Sequence, residues 1–409
     1  MIERHITIRK LVLAAGVGLA LQGSATWAKA SADAVWVPAY LSSPCAPIVG
    51  VPAAVIPPPQ EIQGTVRYRI TLGAGGQALT IRLSNETGRK PLHVSHVTVA
   101  LANGAGRKFV DVTFGGARDV VMEPGAPALS DPVAVPAAAG SDILVSLHLP
   151  DPFTHTQADG LRPTQYSPGA DQTSAPTLTQ SKDLFVRPIV SGVLVQTLPP
   201  RRNAIVTLGD SITDGTGAQS TELRGWPERL ALRARKAPAS HVVIANAGIS
   251  GNRVLTDGWG ISALARFDRD VLAVPSVKHV IILEGINDIG SPGAEPGANP
   301  PPTYADMLAA YRQLIARAHQ HQVRVTCATI LPFKGSFYFS PQKEQLRQQI
   351  NAWVRSGGEC DAHIDFDRAM GEPGDPLRLR QQFDSGDHLH PNDEGYRAMA
   401  DAVDLRIFR

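Results

Sequence analysis

The 409-residue chain is poor in cysteine, in aromatic residues and in net charge, with three cysteines, 6% aromatics and a formal charge of +2. Cys45, Cys327 and Cys360 are too few to staple a small disulfide scaffold. Cys327 in "VRVTCATI" and Cys360 just before "AHIDFD" read as small core residues, with one bridge permitted in an oxidising compartment. Cys45 is left over in a Pro-rich stretch. A balanced charge with no basic stripe gives no footprint for a nucleic-acid partner. Neither a Walker loop nor a dinucleotide fingerprint is present. The twelve histidines show no zinc-ligand spacing, so the sequence implies no metal and no cofactor. Beyond the N-terminus no apolar run is long enough to span a bilayer.

The N-terminus differs from the rest. Arg4, Arg9 and Lys10 precede the apolar run "LVLAAGVGLALQGSA", and Ala28-Lys29-Ala30 fits a cleavage site. Residues 1–30 therefore read as a signal peptide, which implies a secreted or periplasmic protein with no stable membrane anchor. Its removal takes away four basic residues (Arg4, Arg9, Lys10, Lys29) and Glu3, which turns the charge of +2 into about −1.

Residues 31–60 are rich in Pro and Ala and read as an extended lead-in along the surface. From 61 to 198 the pattern is that of strands, among them "TVRYRITL", "ALTIRLSN", "HVSHVTVAL", "KFVDVTF" and "DILVSLHL", separated by Gly and Pro breaks. No helical periodicity is visible before about residue 200. This stretch is expected to form a β-sandwich of jelly-roll-like type. From 199 to 409 the texture changes. Short apolar runs ("AIVTLGD", "HVVIANAG", "HVIILEG", "VRVTCATI", "AHIDFD") alternate with helical stretches such as "GWPERLALRARKA" and "TYADMLAAYRQLIARAHQH". That alternation predicts a parallel sheet covered on both faces.

In such folds reactive residues gather at the carboxyl ends of the strands. The loops there carry "GDSITDG", "NAGISGNRV", "EGINDIG" and "FDSGDHLHPNDEG". A hydroxyl, backbone donors, an amide and an Asp-x-x-His pair thus converge by topology. Ser211 is a candidate nucleophile, His390 its base and Asp387 the carboxylate that orients the base. His388 and Asp384 compete for the last two roles, but lack the Asp-x-x-His spacing. Asp210 and Asp214 read as loop organisers, and Ser250 as loop structure. Asn252 and Arg253 are candidate substrate contacts. No Gly-x-Ser-x-Gly elbow occurs, which argues against the α/β-hydrolase version of a triad.

These four blocks, in this order and each after a predicted strand, resemble the SGNH hydrolase superfamily, or GDSL-type esterases, over about half the chain. The resemblance is strongest to secreted bacterial acylhydrolases, a branch that includes carbohydrate esterases. Ile212 stands where the common motif has Leu. The resemblance implies a flavodoxin-like three-layer α/β/α domain and a serine esterase acting through an acyl-enzyme. It also implies an oxyanion hole made by the N–H groups of Ser211 and Gly248 and the amide of Asn287. The expected substrate is a small-molecule or oligosaccharide ester, with short acyl groups on saccharides favoured. A broad-specificity lipase or arylesterase, and a glycan-binding protein with secondary esterase activity, are the alternatives. Neither the oligomeric state nor the acyl group is set by the sequence.

Overall fold

The structure is a computed structural model. It describes residues 34–46, 61–103, 106–154, 163–185, 189–197, 202–220, 223–237, 241–291, 301–357 and 359–409. The expected signal peptide lies outside these residues. No helix among them is long and apolar enough to cross a membrane.

Upstream of residue 202 all regular structure among the described residues is strand. One antiparallel sheet has four strands in the spatial order Val35–Leu41, Val190–Thr197, Ala78–Ser84, Pro127–Leu129. The other has six, in the order Lys182–Leu184, Thr164–Pro168, Glu61–Thr71, Asp142–Thr154, His96–Leu101, Val110–Val112. Alternate residues of both sheets, such as Val66, Ile70, Val145 and Leu147 from one and Leu79, Ile81, Val193 and Val195 from the other, share one core. The run "HVSHVTVAL" breaks at Ser95. Leu92–Val94 pairs with Val120–Met122 in a separate ribbon, while His96–Leu101 joins the six-stranded sheet.

The expected lead-in is in part built into the fold. Val35–Leu41 is a strand paired with Val190–Thr197, and Val37 and Ser43 are fully buried. The apolar alternation of Val35, Val37 and Ala39 supplies the reason, since a period of two lets one strand face bury while the other does not. The chain then runs into the second half of the molecule. The Cys45 thiol donates to the Trp259 carbonyl at 2.7 Å, and Arg269 donates to the Pro44 carbonyl.

The C-terminal half holds five parallel strands: β1 Asn203–Gly209, β2 Val242–Gly248, β3 Val277–Leu283, β4 Arg324–Ala328 and β5 Ala362–Ile364. Their order is β2-β1-β3-β4-β5, the doubly wound arrangement whose switch point lies beside the first strand. The register sets Gly209 beside both Gly248 and Leu283, so three strands end level. Eight α-helices are needed for the site and its cover: α1 Ser211–Asp214, α2 Trp226–Lys236, α3 Ala263–Phe267, α4 Ile286–Gly290, α5 Tyr304–Gln320, α6 Pro341–Arg355, α7 Phe366–Met370 and α8 Asp393–Ala402. Trp226, Phe267, Phe333 and Phe366 are fully buried in the core they cover, each worth about 1.5–3 kcal/mol by removal from water.

Cys327, on β4, and Cys360, just before β5, form a disulfide with Cα atoms 5.9 Å apart. The two positions read as core residues are therefore a clasp between the last two strands. β5 is only three residues long and, among the described residues, pairs with β4 alone.

Candidate active site

β1 stops at Gly209, and the short helix α1 starts at once with Ser211. Asp210 caps it: its Oδ1 accepts from the Ile212 N–H at 2.9 Å. That capping bond is why an acid precedes the serine. Asp214 receives the Ser250 hydroxyl at 3.1 Å and so ties α1 to the loop after β2. Both acids organise loops, as their sequence context suggested.

The loop before α8 lies over the start of α1. Asp393 accepts from the N–H groups of Gln219 and Ser220 and from Arg229 on α2, and the Tyr396 hydroxyl donates to the Thr216 carbonyl. Held this way, His390 Nε2 stands 2.8 Å from Ser211 Oγ, and His390 Nδ1 stands 2.5 Å from Asp387 Oδ2. Asp387 Oδ1 accepts from the N–H groups of His390 at 2.8 Å and Leu389 at 2.9 Å, and from Ser385 Oγ. Burial works against ionisation of Asp387, but the His390 ring and these N–H groups outweigh it and hold the carboxyl well below the usual carboxylate range. The structure thus brings Ser211, His390 and Asp387 into one continuous chain of hydrogen bonds.

The competing pair forms a dyad of its own. His388 Nδ1 sits 2.6 Å from Asp384 Oδ2, and Asp384 Oδ1 accepts from the His388 and Gly386 N–H groups. His388 has φ of +60°, an uncommon left-handed backbone for a residue with a Cβ. Its ring lies beside Gly335.

Gly248 does not sit as expected for an oxyanion donor. Its N–H donates to Asn246 Oδ1 at 2.9 Å, and its Cα presses on the backbone of Asp214 so closely that a Cβ would lie 2.4 Å from the Asp214 nitrogen. The glycine serves close packing of β2 on α1. The same loop carries a second glycine, Gly251, at φ of +71°. Among the described residues its N–H has no acceptor. It lies between Ser250, which is bonded to Asp214 of α1 and to Thr216 just after it, and Asn252, whose carbonyl accepts from Asn287 Nδ2 at 2.9 Å. Asn287 is buried on α4, just after β3, and among the described residues its second amide N–H has no acceptor.

Asn252 cannot touch a substrate. It is fully buried, its Nδ2 donates to the Ile261 carbonyl, and its Oδ1 accepts from Arg266 Nε. Sequence reasoning missed Arg266 because it lies on α3, in a segment with no motif. Its side chain is fully buried, and its guanidinium donates to the carbonyls of Gly209 and Ala247, at the ends of β1 and β2, and to Asp270. Arg253 is half-buried beside Gly258. Asp288, next to Asn287, accepts from the Val254 and Leu255 N–H groups. Burial pushes its carboxyl up to about 6, with those N–H groups and the Arg253 charge pulling the other way. Glu284, just after β3, is buried, and among the described residues neither of its carboxylate oxygens has a hydrogen-bond partner; Arg266 Nη2 is 3.7 Å away. Burial, reinforced by Asp210, raises its carboxyl well above the usual range.

Among the described residues no group of three or more His, Cys, Asp or Glu side chains is placed to hold a metal.

Residues 207–398 match the model of the GDSL-like Lipase/Acylhydrolase family. Among solved structures the chain is similar to Axe2, an acetylxylan esterase from Geobacillus stearothermophilus (21% identity, 51% of this chain and 94% of that one, TM-score 0.40). It is also similar to a GDSL-like lipase from Bacteroides thetaiotaomicron (22%, 50% and 87%, TM-score 0.37). A third is LAE5, an alpha/beta hydrolase enzyme from the metagenome of Lake Arreo (20%, 49% and 93%, TM-score 0.39). No curated protein matches the chain.

Proposed function

The chain belongs to the GDSL-like lipase/acylhydrolase family through residues 207–398, and from that membership we propose that it is a serine esterase working through an acyl-enzyme, with Ser211 as nucleophile, His390 as base and Asp387 as its orienter. It is a carboxylic ester hydrolase by family. The single observation that supports the triad is the run Ser211 Oγ, His390 Nε2, His390 Nδ1, Asp387 Oδ2, with contacts of 2.8 and 2.5 Å. A serine hydroxyl needs such a base because it is a weak nucleophile on its own.

The chemistry runs in two halves. Ser211 Oγ attacks the ester carbonyl as its proton passes to His390 Nε2. The carbonyl π pair moves onto oxygen. Collapse of that tetrahedral species breaks the bond to the alcohol oxygen, which takes the proton from His390, and leaves Ser211 acylated. Water then attacks the acyl carbon and gives its proton to His390, and collapse returns the proton to Ser211 and frees the acid. Asp387 stays ionised throughout and steadies the imidazolium. The oxyanion is met by donors fixed in advance: the Ser211 N–H, the free N–H of Asn287 Nδ2 and, in place of Gly248, the Gly251 N–H.

The substrate in this reading is a short-chain ester, an acetyl or similar group on a saccharide, on the strength of the likeness of the four sequence blocks to carbohydrate-active acylhydrolases. The protein acts outside the cytoplasm. The signal-like N-terminus and the Cys327–Cys360 bridge support this, since disulfides persist in oxidising compartments. The β-rich half is read as a jelly-roll-like sandwich, supported by its two antiparallel sheets around one core. Hydrolysis rates on acetylated xylan, acetylated pectin fragments and p-nitrophenyl esters of graded chain length test the substrate class. A preference for acetylated saccharides is expected. A preference for long acyl chains, with no turnover of acetylated sugars, would instead indicate a lipase.

A further inference from the structure

We propose that Tyr338 is the positioning residue of the oxyanion hole, and that it fixes which end of the Asn287 amide faces the substrate. The inference rests on the ester-hydrolase reading above, with Asn287 as an oxyanion donor.

Tyr338 lies in the connection between β4 and α6, a stretch with no catalytic motif. Its hydroxyl donates to Asn287 Oδ1 at 2.9 Å. The other end of the same amide donates to the Asn252 carbonyl at 2.9 Å. An amide side chain has nearly the same shape whichever way round it sits, so only its partners decide whether NH2 or oxygen meets the substrate. Turned over, Asn287 would set a carbonyl oxygen against a developing oxyanion, which repels it. Tyr338 can donate to oxygen and the Asn252 carbonyl can only accept. Together they leave one orientation, the one with a spare N–H.

The fold makes room for this contact. A Cβ on Gly290, at the end of α4, would come within 2.1 Å of the Tyr338 ring. The absence of a side chain at Gly290 lets the ring lie on the helix backbone. The clamp continues on both sides. Ser291 Oγ and the Tyr338 hydroxyl are 3.2 Å apart, and Lys343 on α6 donates to the Gly290 carbonyl at 2.6 Å. α4 is only five residues long, too short to hold a side chain rigidly through its own hydrogen bonds. The β4–α6 connection supplies the rigidity.

The test is Tyr338→Phe, which keeps the ring and deletes the donor, measured alone and in an Asn287→Ala background. Loss of one such hydrogen bond is expected to lower kcat about tenfold. KM should move less than about twofold, because the oxyanion exists mainly in the transition state. In the Asn287→Ala background the same substitution should change kcat by less than about twofold, since no amide remains to orient. Thermal unfolding of Tyr338→Phe should stay close to wild type. Gly290→Ala, which pushes the ring off the helix, should reproduce the kcat loss if it folds. Three results would overturn the proposal: a wild-type kcat in Tyr338→Phe, a loss confined to KM, or an equal loss with and without Asn287. Full activity of Asn287→Ala itself would fail the underlying oxyanion reading instead, and the two failures are distinguishable because they appear in different variants.

Discussion

Cys360→Ser removes the clasp between β4 and β5 while leaving Cys327, which is fully buried, in its own volume. The cost follows from the loop that the bridge closes. For a sequence separation of 33, the chain-entropy relation gives about 13 cal/mol/K, or ~4 kcal/mol at 25 °C. In a domain of this size that corresponds to a fall in Tm of about 10 °C. The loss should appear first around β5, because among the described residues its three residues pair with one neighbour only. Asp365, just after β5, accepts from Arg355 and caps α7, so fraying there releases α6 and α7 together. Urea titration followed by residual ester hydrolysis reports on the catalytic half alone. A midpoint shift worth about 2–4 kcal/mol is expected, with kcat little changed in the absence of urea because the site lies on other loops. A Cys360→Ser protein with a midpoint equivalent to within about 0.5 kcal/mol of wild type would refute the reasoning.

Further outcomes follow from the site. His390→Ala should lose at least about a thousandfold in kcat/KM, as when a triad member is removed, whereas His388→Ala should keep most activity, because His388 is bound to Asp384 and not to Ser211; assays of both purified variants decide it, and the opposite ranking would transfer the base role to His388. Glu284→Met should stabilise the protein, and the gain should grow as the pH rises. The folded carboxyl is raised, so the unfolded chain gives up its proton first, and stability falls as pH climbs above the ordinary glutamate value of about 4.3. Urea titrations at pH 4.5 and pH 8 compare the two proteins, and a difference that does not change with pH would show that Glu284 is ionised in the native state.

The parallel sheet and its reactive edge were readable because a buried parallel sheet imposes continuous apolar runs, and the loops after those runs carry residues with few other uses. Asp387 and His390 sit three residues apart in one turn, where spacing translates into distance, whereas Ser211 meets His390 across 179 residues through the topology of the sheet alone. Gly248 was misread for a physical reason. "NAGISG" holds two glycines, and which N–H is free depends on the Asn246 side chain folding back onto Gly248. Asn252 was a candidate substrate contact through its place in the loop beside the site, but its side chain is fully buried. Its Oδ1 is held by Arg266, fourteen residues away on α3. Tyr338 was invisible, since the contact with Asn287 spans 51 residues and no periodicity encodes it. The two halves of "HVSHVTVAL" look like one strand because both are apolar and β-branched, and only the pairing partners divide them at Ser95.

The central claim is that Ser211 is the nucleophile of an acyl-enzyme, and covalent trapping tests it most directly. Wild-type protein is treated with a fluorophosphonate, intact mass is recorded, and the modified peptide is mapped. The account predicts one adduct per chain, on Ser211, with labelling and ester hydrolysis lost together in folded Ser211→Ala. An adduct on another residue, or ester hydrolysis near the wild-type rate by folded Ser211→Ala, would contradict it.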